Sequence, residues 1–190
     1  DATRAAGGAI VNHAEARAVV AHVASLLTAG VPASRIAVIS PYSAQVGLIR
    51  RQLSKSVAVQ RLLTAAAMAA GALEPEAVEV ATIDSFQGRE ADAVVLSLVR
   101  SNTRRSIGFL ADARRLNVAV TRARRHVAIV CDPSTVRSDP LLDSLLTHCE
   151  SRGVVRQVEG EGGAGAANAR GVVMPVSGST TSPPLQQPRS

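Results

Sequence analysis

Apolar residues recur along this chain in two rhythms. Between Ala14 and Leu27, the residues Ala18, Val19, Val23, Leu26 and Leu27 fall at helical spacing, and Gly30 with Pro32 supplies a stop. This pattern predicts an amphipathic helix. Ile36-Ala37-Val38-Ile39 is short and unbroken, the composition of a strand covered on both faces. After it, Ser40 suits an N-cap and Pro41 a first helical residue, and the helix continues through Val46, Leu48, Ile49 and Leu53. Lys55 to Glu76 carries an Ala-rich patch that reads as a further helix, closed by Gly71 and Pro75. Val78 to Ala81, Asp92 to Val99 and His126 to Cys131 read as strands, and Ser101 to Leu110 as a loop. Asp112 can cap a helix running from Ala113 to about Arg124. Pro140 opens a last helix with Leu141, Leu142, Leu145 and Leu146 on its apolar side and Gly153 as terminator.

Strand and helix alternate throughout. The expected fold class is therefore α/β, a parallel sheet covered by helices in three layers, with ligands at the carboxyl ends of the strands. Residues 1–9 read as a linker or cut point and 10–157 as one domain. Residues 158–190 turn to Gly, Ala, Ser and Pro, which predicts a disordered low-complexity tail. The start, Asp1-Ala2-Thr3-Arg4, shows no initiator Met and no signal-peptide core, so the chain is expected to begin inside a longer protein.

Composition narrows the function. The 190 residues are 46% hydrophobic, enough for a buried core, but only 2% aromatic with no Trp, so stacking platforms for bases are nearly absent. The net charge of +6 favours a polyanionic partner. Its placement says more than its size: nine arginines against four acids lie between Asp84 and His126. Cys131 and Cys149 are isolated, with neither a zinc pattern nor a disulfide framework, which fits a reducing, intracellular setting, nucleus or cytoplasm. No apolar run reaches membrane-spanning length, and no membrane partner is expected.

Two polar blocks carry the chemistry. Thr82-Ile83-Asp84-Ser85-Phe86-Gln87-Gly88-Arg89-Glu90 leads into the apolar run Ala93 to Val99. Arg114-Arg115-Leu116-Asn117-Val118-Ala119-Val120-Thr121-Arg122-Ala123-Arg124 leads into Val127 to Cys131. Each borders a buried strand, so the two are expected to share one rim of the sheet. Gly88 lets a backbone approach a phosphate or ribose without a Cβ in the way. The arginine run suits phosphate, its bland alternative being a solvated basic helix face. Arg115 lies seven residues before Arg122, nearly on the same helical face. Phe86 reads as core.

These blocks resemble motifs V and VI of superfamily 1 nucleic-acid helicases, in particular the immunoglobulin mu-binding-protein helicase and the nonsense-mediated-decay helicase. Ser40-Pro41-Tyr42-Ser43-Ala44-Gln45 resembles the stretch that opens the helix after the first strand of the second motor domain in that family, and the three blocks occur in the family's order. The resemblance covers about residues 10 to 150 and implies a RecA-like domain. It implies an arginine finger at Arg122, acting on a γ-phosphate. Glu90 matches the acid near the nucleotide sugar, Gln87 the polar network between motor domains, and Gly88, Arg115, Tyr42 and Gln45 the nucleotide side of the cleft. Thr82 matches the position that touches the nucleic-acid backbone, with Asp84 orienting that loop. Asn12-His13-Ala14-Glu15-Ala16 resembles the family's Asn-x-x-Glu-Ala block, with His13 where some relatives carry a phosphate-clamping arginine.

A complete motor needs a phosphate cradle of the form G-x-x-x-x-G-K-[ST] and a strand-end acid for Mg²⁺, and neither occurs in this sequence. The implied function is thus the C-terminal motor domain of an ATP-dependent DNA or RNA helicase, inactive alone, with ATP and Mg²⁺ held mainly by an N-terminal phosphate-loop domain and single-stranded DNA or RNA as partner. No metal-binding residues are expected in this chain. The alternative is a non-enzymatic module that binds nucleic acid or a helicase partner through the arginine-rich rim.

Overall fold

The structure is a computed structural model that describes residues 3–4, 9–111, 113–152, 154–158 and 169–175. The chain opens with β1 (Thr3–Arg4) and β2 (Ile10–Val11), which pair antiparallel. Part of the expected linker is therefore a short strand. Helix α1 (His13–Thr28) follows, its Asn12 N-cap accepting from the Glu15 amide. Next come β3 (Ile36–Ser40), α2 (Ser43–Lys55) and α3 (Val57–Ala70). Ser56 closes α2 and caps α3 by accepting from Val59 N, and Gly71, at φ +66°, ends α3.

The expected cap of α2 falls elsewhere. Ser40 is the last residue of β3 and fully buried, and the helix starts at Ser43 with Tyr42 in the N-cap position. Strand β4 (Glu79–Thr82) leads through a 3-10 turn (Asp84–Phe86) into β5 (Ala91–Ser97). Helix α4 (Ala113–Val120) precedes β6 (Ala123–Cys131), and α5 (Pro133–Val136) and α6 (Pro140–Arg152) close the domain. Asp112 and Gly153, expected as cap and terminator, lie outside the described residues.

The order in the sheet is β4-β3-β5-β6, all parallel, followed by β8 (Ala169–Pro175), antiparallel to β6, and at the edge β7 (Val154–Val158), antiparallel to β8. The fold is the expected α/β, RecA-like arrangement of a four-strand parallel sheet flanked by helices. The tail expectation needs correction at 169–175. There Gly171-Val172-Val173-Met174 is a strand-forming run inside a Gly- and Ser-rich stretch, and its backbone pairs with the outer edge of β6, which otherwise offers unmet hydrogen-bonding groups. The remainder of the tail lies outside the described residues.

Side-chain alternation on the strands builds two cores. Ile36 and Val38 of β3 meet Val19 and Val23 of α1, Ile49 and Leu53 of α2 and Val59 and Leu63 of α3. Ala37 and Ile39, on the opposite face, meet Phe86, Leu116 of α4 and Leu142 and Leu146 of α6. Phe86 is 1% exposed, so the middle of the first polar block is anchored in the second core. Phe86→Ala is expected to cost about 3–5 kcal/mol, read as a lowered urea midpoint with the slope unchanged.

Candidate nucleotide and nucleic-acid interface

A parallel sheet makes the chain cross from the carboxyl end of one strand to the amino end of the next. Both polar blocks are such crossings. Residues 83–90 carry the chain from β4 to β5, and α4 with the turn at Thr121-Arg122 carries it into β6. They run side by side and are pinned at both ends. At the carboxyl end, Arg115 Nε lies 3.3 Å from Asp84 Oδ1. At the amino end, Ala91 N donates to the Arg122 carbonyl at 3.1 Å, and Arg124 Nε donates to Glu90 Oε2 at 2.9 Å.

The blocks therefore do meet, but Gln87, Gly88, Glu90 and Arg122 sit at the amino ends of β5 and β6. Alternation alone places ligands at the carboxyl ends; these residues sit at the other rim because both blocks precede their strands. Arg122 is also not on a helix. α4 stops at Val120, where the β-branched residues Val118, Val120 and Thr121 weaken it and Thr121 Oγ1 donates back to the Asn117 carbonyl at 2.9 Å. The shared helical face with Arg115 is thus lost, and Arg115 meets Asp84 instead. Arg122 is half-buried. Its Nε donates to the Val118 carbonyl at 3.1 Å and one terminal nitrogen to Thr121 Oγ1 at 3.3 Å, leaving three of the guanidinium's five N–H groups for a ligand.

Gly88 adopts φ +78° with nothing within 4 Å of where a Cβ would stand. A positive φ, rather than crowding, is what demands glycine. Beside it, Arg89 pairs with Glu79, donates to the Ser85 carbonyl at 2.6 Å and lies 4.8 Å above the Phe86 ring. Gln87, Gly88 and Glu90 are exposed. This rim can offer guanidinium and backbone donors to phosphate. Among the described residues no cluster of three His, Cys, Asp or Glu could hold a metal.

Thr82 and Asp84 lie after β4, at the carboxyl rim. Thr82 is half-buried, and its hydroxyl and Ser85 cap one another, Ser85 N donating to Thr82 Oγ1 at 3.2 Å. Tyr42 shares this rim, its hydroxyl 3.2 Å from the Cβ position of Gly108. Gln45 does not. It is fully buried, accepting from Asn12 N at 2.8 Å and donating to the Asn12 carbonyl at 3.0 Å and to Ser97 Oγ at 3.1 Å. The expected cleft-facing amide is a peg between α2, the head of α1 and β5.

Comparisons with known proteins bear on this geometry. The family model described as an AAA domain matches residues 1–134. The chain belongs to that family. This AAA domain is a superfamily 1 helicase domain, related to the proteins named below. It is 45% identical over 145 residues to mouse "DNA-binding protein SMUBP-2", an alignment covering 76% of this chain and 13% of that protein. It is 41% identical over 144 residues to the Arabidopsis thaliana "Regulator of nonsense transcripts 1 homolog", covering 76% and 11%, and 35% identical over 156 residues to Schizosaccharomyces pombe "ATP-dependent helicase upf1", covering 82% and 16%. The AAA domain thus spans a small fraction of the length of these relatives.

Sequence reasoning missed a buried polar network at the other end of β5. Glu15 is fully buried, its Oε2 accepting from Val99 N and from Ser97 Oγ, both at 2.8 Å. The signal was present: Glu15, Val19, Val23 and Leu26 form one helical stripe, and all four are buried. A second omission is His22 of α1 against His126 of β6, whose Nε2 atoms are 2.9 Å apart in rings stacked at 5.2 Å. Cys131 and Cys149 are buried free thiols, and burial raises both out of the reactive range. No helix among the described residues is long and apolar enough to cross a membrane.

Burial pushes the Glu15 carboxyl from 4.5 up to about 8, against the hydrogen bonds from Val99 and Ser97 and with the Asp132 charge adding to the rise. Between those values the folded domain keeps a proton that the unfolded chain has lost. Stability is therefore highest below the unfolded value and falls as pH rises toward 8, by up to about 1.4 kcal/mol per unit from this group. Urea midpoints between pH 5 and 9 should show this decline, and Glu15→Gln should flatten it.

Proposed function

We propose that this domain is the second RecA-like motor domain of an ATP-dependent helicase, closing onto a phosphate-loop domain that precedes it in the protein. The observation that carries the reading is the gathering of Arg122, Gly88 and Glu90 at one rim, held there by the Ala91–Arg122 backbone bond and the Glu90–Arg124 pair. An arginine already held by one hydrogen bond to the Val118 carbonyl and one to the Thr121 hydroxyl presents its remaining donors with little further loss of freedom.

Bound ATP with Mg²⁺ supplies the phosphoryl bond to be broken; this chain supplies charge and position. Arg122 neutralises charge that develops on the γ-phosphate when the cleft closes. Gly88 leaves its backbone open to the ligand, and Glu90 and Gln87 face the sugar and the opposite domain, whereas Tyr42 stands at the carboxyl rim, away from the nucleotide. Arg115 acts through Asp84, fixing the loop from which Thr82 touches the phosphate backbone of single-stranded DNA or RNA. Gln45 supports the fold rather than the ligand. The site is intracellular in this reading.

In a protein containing both motor domains, Arg122→Ala should lower nucleic-acid-stimulated ATP hydrolysis by roughly 10³-fold or more, with nucleotide affinity changed only a few-fold. Arg122→Lys should not restore it, since an ammonium lacks the planar fork. Unchanged turnover would defeat the assignment.

A further inference from the structure

Val99 has φ +71°, a value that a β-branched residue almost never adopts. Arg100 N donates to the Leu98 carbonyl at 2.8 Å, so Leu98-Val99-Arg100 is a γ-turn of the rare, strained hand. Such a turn persists only where its surroundings over-determine it. Here they do. Both peptide groups of Val99 are taken by side chains from the head of α1: Glu15 Oε2 accepts from Val99 N at 2.8 Å, and Asn12 Nδ2 donates to the Val99 carbonyl at 3.1 Å. Asn12, Glu15, Gln45 and Ser97, which complete this clamp, are all essentially inaccessible to water.

What the turn launches is a basic loop at the carboxyl rim. No carboxylate occurs between Leu98 and Ala111, whereas Arg100, Arg104 and Arg105 do. Arg104 and Arg105 are exposed and make no ion pair among the described residues. The loop is itself built. Arg100 Nε donates to the Ser106 carbonyl at 2.8 Å, Asn102 N donates to Thr135 Oγ1 at 2.9 Å, and Ser138 Oγ donates to the Arg105 carbonyl at 2.8 Å. It stands at the opposite end of β5 from Arg122, roughly 20 Å away for a strand of this length, so a nucleotide at one cannot also be the ligand of the other. Thr82 shares the loop's rim.

We propose that Asn12 and Glu15 are positioning residues that hold Val99 in its strained turn and so present Arg100, Arg104 and Arg105 to the phosphate backbone of a single-stranded nucleic acid. This rests on the helicase reading for its ligand but not for its clamp. Strain held by buried donors and acceptors keeps the loop in one arrangement, so backbone contacts are made without the cost of ordering it.

The test combines amide hydrogen exchange with binding of fluorescent oligo-dT and oligo-U to the 190-residue chain. Asn12→Ser retains a capping oxygen for α1 but is too short to reach the Val99 carbonyl. It should speed exchange at residues 100–108 about tenfold, leave β3 and β5 protected, and weaken oligonucleotide binding about three- to tenfold. Glu15→Ala should act in the same direction. Glu15→Gln, which keeps the acceptor, should restore both readouts, an outcome that loss of general stability would not give. Arg104→Ala with Arg105→Ala should weaken binding and reduce its salt dependence without changing exchange at Val99. Unaltered exchange in Asn12→Ser overturns the clamp, and unaltered binding in the arginine pair overturns the ligand while leaving the helicase reading intact. If the unaltered chain binds neither oligonucleotide, the strand contact fails for both proposals, and exchange still decides the clamp.

Discussion

The structure depends on one constraint, the return journey that a parallel sheet imposes on the chain. From Thr82, level with Ser40 and the end of β5, the chain must reach Ala91 at the amino end of β5, passing β3 on the way. That is about 20 Å along the strands and about 10 Å across them, to be covered in nine steps that can span at most about 30 Å. There is room for one 3-10 turn and no helix. A segment so nearly extended cannot wander, and it is nailed down midway by Phe86 in the core. Residues with no regular structure of their own are thereby fixed as firmly as those in the strands.

The same constraint explains why two blocks distant in sequence become neighbours. β5 and β6 are adjacent and parallel, so the segments entering them must arrive side by side. The Ala91–Arg122 bond is the first rung of the β5–β6 ladder, belonging to the pair Ala91–Ala123, and a register shift between Ala91 and Ala93 follows it. The Glu90–Arg124 pair beside this join and the Asp84–Arg115 pair at the other end of the crossing are exposed, and exposed pairs contribute at most about 1 kcal/mol each. They orient the rim; the ladder and the core hold it.

Much of this was legible in the sequence because the central strands are continuous apolar runs, and helix α1 announces itself by its stripe. The end of α4 was not. Ala123-Arg124-Arg125 reads as the polar face of a helix, yet it is the exposed start of β6, where the strand projects past the helices that cover its remainder. Gln45 misled for the converse reason. A polar residue in the first turn of a helix suggests a ligand, whereas its amide here satisfies the backbone of Asn12 that no ladder reaches. Strand β8 was hidden by composition, seven residues of strand inside a stretch dominated by Gly, Ala, Ser and Pro.

The two rims use opposite means to the same end. At the amino rim, Arg122 is steadied by exposed, replaceable contacts around a single backbone bond, which suits a group that has to meet a partner surface and leave it again. At the carboxyl rim, the strained Val99 turn is held by side chains buried without access to water. There a hydrogen bond lost leaves a polar group stranded, at a cost of about 1–3 kcal/mol. A carboxylate is an expensive choice for such a place, and Glu15 occupies it largely protonated near neutral pH. An amide would accept from Val99 N equally well, so acceptor geometry alone does not account for the acid. Burial holds its proton, and the charge of Asp132, the buried cap at the end of β6, adds to that hold. The turn after β5 and the corner after β6 are thus tied electrostatically as well as through the Ser101–Asp132 hydrogen bond of 2.8 Å.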